Sequence, residues 1–70
     1  MTYNKLQSIL PPHSEIHYLS DTDSEYQNKN YNYILFEYTT DWIETIDSLK
    51  SNSIDFTIKT DSNDLDYILI

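Results

Sequence analysis

The stretch Tyr31 to Ser51, YNYILFEYTTDWIETIDSLKS, decides the fold, because its apolar period changes at Thr39 and Thr40. Before that pair the residues alternate as in a strand from Tyr31 to Tyr38. Ile34, Phe36 and Tyr38 fall on one face, and Tyr31, Tyr33, Leu35 and Glu37 on the other. Neither face is purely polar, so both need a cover, the second supplied by a first helix, a second copy or a partner. After the pair the period is helical. Asp41 is placed to cap the helix, with Glu44 as its capping-box partner, and both acids sit near the positive terminus. Around the helix Trp42, Ile46 and Leu49 cluster with Ile43 beside them, whereas Asp41, Glu44, Asp47 and Ser48 fall opposite. Lys50 suits the negative end, and Asn52 is predicted in the left-handed position that follows a helix.

Working outward, Thr2 is a cap for a short helix from Tyr3 to Leu10, stopped by Pro11 and Pro12. EIHYL, Glu15 to Leu19, reads as a first strand. SDTDSEYQNKN, Ser20 to Asn30, has no apolar period and reads as a loop between antiparallel strands, long enough to suggest function. On the other side, Ile54, Phe56 and Ile58 alternate with polar residues. After the turn Asp61 to Asp64, Leu65, Tyr67 and Leu69 alternate with Asp66, Ile68 and Ile70. The chain contains no glycine, so positive φ angles are predicted mainly on Asn and Asp, with Asn28, Asn30, Asn52 and Asn63 as the candidates. The expected fold is α+β. It is one compact acidic domain over residues 1–70, with a small antiparallel four-stranded sheet, element order αββαββ, and the main helix packed on one face.

Seventy residues bury only about 60% of the surface their unfolded chain exposes, which leaves little room for a deep catalytic cleft. With no cysteine, neither a disulfide framework nor a thiolate metal site is available, and a reducing compartment fits. The N-terminus lacks the charge-then-apolar pattern of an export signal, and no apolar run is long enough to span a membrane. The expectation is a cytoplasmic protein with no membrane association.

Charge is the strongest signal: 12 Asp plus Glu against four lysines give a formal net charge of -8. Direct nucleic-acid binding needs the opposite sign. DTDSE, Asp21 to Glu25, begins like a calcium loop but continues with Tyr26 where the turn wants glycine and Asn32 where a bidentate Glu belongs. His13 and His17 are too far apart on an extended chain to share an ion. Carboxylate pairs such as Glu37 with Asp41 or Asp55 with Glu44 arise by chance at this acid content, and no phosphate loop or nucleophile motif is present. The chain therefore reads as a binding domain, not an enzyme, with no cofactor and no metal.

Its partner would be a basic protein. On an extended segment Asp21, Asp23 and Glu25 would stand about 6.6 Å apart, near the phosphate spacing of one nucleic-acid strand. Asp41, Glu44 and Asp47 would add a helical row, with Tyr26 and Tyr31 as aromatic anchors. In size, acidity and helix-plus-sheet pattern the chain resembles small phage-encoded anti-CRISPR and anti-restriction inhibitors that mimic DNA. The resemblance is one of type across the whole chain, with no motif matched residue by residue. It implies an inhibitor of the basic nucleic-acid-binding surface of a CRISPR effector or other DNA-binding enzyme. Two alternatives use the same sequence: an immunity protein that neutralises a basic toxin nuclease, and a structural homodimer or assembly factor joined through the sheet face bearing Tyr33, Leu35 and Ile68.

Overall fold

A computed structural model describes residues 2–70 and shows a small α+β domain. Its elements are α1 (Tyr3–Ile9), β1 (His17–Tyr18), β2 (Tyr33–Phe36), α2 (Trp42–Ser51), β3 (Thr57–Thr60) and β4 (Asp66–Leu69). Three short 3-10 turns, Leu19–Asp21, Ser24–Tyr26 and Glu37–Thr39, interrupt the connections. The last of these cuts the second strand short of the expected Tyr38. The Thr39 and Thr40 hydroxyls donate to the Phe36 carbonyl at 3.2 and 2.7 Å, so the residues at the change of period physically end the strand. Likewise β1 keeps only two residues, because Leu19 already enters a turn.

The four strands lie in the order β1-β2-β4-β3, every neighbour antiparallel. Since β4 is antiparallel to both β2 and β3, those two run in the same direction, joined by α2, with β4 lying between them. Leu35 and Ile58 both face Ile68, while Ile34 and Thr57 both face Leu69.

That register sorts the side chains onto two apolar faces. Tyr33, Leu35, Ile68 and Ile70 pack with Leu6 and Leu10 at α1, Ile16 and Leu49, and half-buried Trp42 and Ile46 join them. Both helices therefore cover this face. Ile34, Phe36, Tyr67 and Leu69 occupy the other, and they pack with Leu19, Tyr26 and Tyr31. The first helix thus supplies the cover expected for the face bearing Tyr33 and Leu35, and the long acidic loop covers the face bearing Ile34 and Phe36. One consequence is a correction: Tyr33, Leu35 and Ile68, the face considered for a homodimer, are buried under the helices.

Within α2 the burial is rolled away from the apolar stripe. Thr45 and Leu49 are the fully buried positions, while Ile43, expected beside the core, is 75% exposed. At 100° per residue the buried centre lies about 45° from the mean direction of Trp42, Ile46 and Leu49. The Thr45 hydroxyl is left buried with no hydrogen-bond partner. Asp41 caps the helix by accepting from the Glu44 N–H at 3.4 Å.

None of the predicted asparagines takes a positive φ; His13, Ser53 and Asp64 do, at 68°, 55° and 61°. Hydrogen-bond closure decides this rather than residue preference. After α2 the Ile54 N–H reaches Leu49 and the Ser53 N–H reaches Lys50, a Schellman pair that puts the left-handed residue at Ser53, one beyond Asn52. The Ser14 N–H donates to Pro11, which makes Pro12-His13 the centre of a type II turn with His13 at its left-handed corner. Asp61 pairs with Leu65 around a three-residue loop, whose last position, Asp64, must turn left.

Candidate functional site

The loop from Ser20 to Asn30 is folded against the sheet through Tyr26 within it and Leu19 and Tyr31 at its two ends. The Tyr26 ring meets Phe36 and Tyr67 edge-on, with centroids 5.3 and 5.0 Å away. Its hydroxyl donates to Asp61 at 2.9 Å. The Tyr31 hydroxyl shares a 2.6 Å hydrogen bond with Thr57 on the edge strand. Gln27 ties the two loop turns together by donating its amide to the Leu19 carbonyl, to the Thr22 carbonyl at 3.0 Å and to the Thr22 hydroxyl at 3.2 Å. Tyr26 and Tyr31, considered as anchors for a partner, are half-buried in this second cluster, and each hydroxyl is already engaged within the chain.

The same contacts gather carboxylates from distant sequence. The β3–β4 turn lies beside the loop: Ser62 donates to Glu25 at 3.2 Å, and Asp61 receives Tyr26. The other Asp61 oxygen accepts the backbone N–H groups of Asn63 and Leu65 at 2.8 and 3.0 Å. Donation from Leu65 foremost, then from Asn63 and Tyr26, outweighs partial burial and holds the Asp61 carboxyl below its usual range. Conversely, the hydrogen bond to Asp61, then burial, then the charges of Asp61 and Glu25 push the Tyr26 hydroxyl up to about 12. Tyr67 shifts in the same direction, through burial first and then the charges of Glu25 and Asp61. The turn's acids were not among the sequence candidates. DSND was legible as a turn, but nothing local announces a partner 35 residues away.

Asp21, Asp23 and Glu25 are all exposed. Their expected ladder is not formed, because Asp21 and Glu25 belong to two separate 3-10 turns and extended backbone is confined to Thr22 and Asp23 between them. Asp41, Glu44 and Asp47 are also exposed on α2. Since α2 covers one sheet face and the loop covers the other, the two rows lie in opposite outer layers and do not form one continuous strip.

All four lysines are exposed, and among the described residues the one ion-pair contact is His17 to Glu15 at 3.6 Å. No lysine therefore neutralises a carboxylate directly. Among those residues no cluster of three His, Asp or Glu side chains is arranged to hold a metal ion. Among the described residues no helix is long and apolar enough to cross a membrane.

Fold and surface together define a small α+β domain with acidic groups on both outer layers. No family model, curated protein or solved structure matches the chain.

Proposed function

We propose that this protein is an acidic inhibitor that docks on the basic nucleic-acid-binding surface of a CRISPR effector or another DNA-binding enzyme in the cytoplasm. The observation that carries the reading is that, among the described residues, no lysine is paired to a carboxylate on a chain of net charge -8. Uncompensated carboxylates steer encounter with a basic groove and accept charge-assisted hydrogen bonds from its Arg and Lys side chains. The loop layer is the better candidate surface. Glu25 stands there beside the turn bearing Asp61 and Asp64, and Asp21 and Asp23 are exposed on the same loop, whose backbone is pinned by Gln27 and Tyr26. Preorganised acids lose less conformational entropy on binding than acids on a loose tail.

The test is capture of basic proteins from host lysate on the immobilised chain, followed by elution with duplex DNA. Mimicry predicts that DNA releases the captured enzyme, that affinity falls steeply with salt, and that reversing Asp21, Asp23 and Glu25 together abolishes capture. Reversing Asp41, Glu44 and Asp47 together reports on the opposite layer separately. Retention that neither DNA nor either reversal changes overturns the proposal. Capture of a toxin nuclease instead of a defence or host enzyme would assign the chain as an immunity protein acting by the same electrostatics.

A further inference from the structure

The sheet has one free edge of useful length. β3 ends the strand order, and Ile58, Lys59 and Thr60 along it are exposed. Two sets of hydrogen bonds fix which backbone groups face outward. Tyr33 and Ile70 exchange both of their bonds at 2.9 Å, and the Asp61 N–H reaches Leu65 at 2.9 Å. Bonded and non-bonded pairs alternate along antiparallel strands, so Ile58 and Ile68 form a non-bonded pair. The N–H and C=O of Ile58, and by the same alternation those of Thr60, therefore point away from β4, and continuing the alternation one residue before β3 turns those of Phe56 the same way. An edge of this kind is a template for another strand.

We propose that this edge pairs antiparallel with the same edge of a second copy, with Thr57 opposite Thr57 at the two-fold axis. In that register Phe56 of each copy exchanges backbone hydrogen bonds with Ile58 of the other. Their side chains meet on the helix-covered face, where Phe56 is half-buried and Ile58 is 45% exposed. On the loop face Lys59 of each copy stands opposite Asp55 of the other, giving two opposite-charge cross-strand pairs. Both residues are exposed, and among the described residues neither has an ion partner within its own chain. A two-residue shift sets Thr57 opposite Lys59 and Asp55 opposite Asp61, and the next sets Lys59 against Lys59. A further shift, with Thr60 at the axis, faces Lys59 with Asp61, but that carboxylate already receives Tyr26, Asn63 and Leu65. The Thr57-centred register is the one that satisfies charge and apolar contact together. It is independent of the proposed inhibitor function, which uses the outer layers and not the edge.

The chain lacks cysteine, so single-cysteine variants report the register directly. On mild oxidation in about 150 mM salt, Thr57→Cys should form a disulfide dimer. Thr60→Cys should not, because its two copies would lie roughly 20 Å apart. In sedimentation, Lys59→Glu should weaken the native dimer by about tenfold, and adding Asp55→Lys should restore it. Raising salt should strengthen this association by screening the repulsion between two acidic chains, the opposite of its effect on a basic partner. A wild-type chain that sediments as an 8.3 kDa species at every soluble concentration overturns the proposal, as does Thr60→Cys cross-linking as readily as Thr57→Cys.

Discussion

Tyr26 shows how one side chain joins the acidic cap to the core. Its ring is held by Phe36 and Tyr67, and its hydroxyl anchors a carboxylate on another loop. Because the folded state favours the neutral hydroxyl, Tyr26 adds stability that is fully present below its ordinary value of 10.0 and is lost as pH rises toward about 12. Tyr26→Phe should therefore flatten the fall in melting temperature across that alkaline window, and should cost about 1 kcal/mol at neutral pH through the lost hydrogen bond. An unchanged alkaline transition would assign the pH sensitivity to other groups. Thr45 makes the complementary case, a hydroxyl buried without a partner. Thr45→Val keeps the shape and removes the unsatisfied group, so thermal melts should show a gain of about 1 kcal/mol. A loss would mean that the hydroxyl finds a water or a partner in solution.

At the scale of elements, the change of period at Thr39 and Thr40 was legible, as were the Asp41 cap and the alternation of the last two strands. These signals are local, set by residues within a turn of one another. The roll of α2 was not, because polarity marks Ile43 as core and Thr45 as surface, while the sheet beneath selects position rather than polarity. Asp64 is of a type expected at a left-handed corner, but the corners at His13 and Ser53 were missed for a related reason. Asparagine is intrinsically suited to them, yet the closing hydrogen bonds put the corner on Ser53. Serine holds that conformation less readily than glycine, so Ser53→Gly should stabilise the helix end by about 1 kcal/mol, read as a raised melting temperature. No gain would show that the Schellman bonds already offset the strain.

For the molecule as a whole, the sign of the charge and the antiparallel four-stranded α+β character were readable from the chain, but the placement of the acids was not. That placement depends on which loop covers which face, and the loop's hold on the sheet comes from contacts such as Tyr26 with Tyr67 that no spacing rule reveals. With carboxylates uncompensated by lysine, added sodium chloride should raise the melting temperature of the free chain progressively. A salt-independent melt would imply that the acids are too far apart to repel. The strand order carries a consequence for the time axis of synthesis. β4, the fourth strand in sequence, supplies the inner neighbour of both β2 and β3. A nascent chain halted before Asp66 has neither Tyr67 nor Leu69 for Tyr26 and its loop to rest on, so translation must run past the central strand before the loop's acidic surface exists to display.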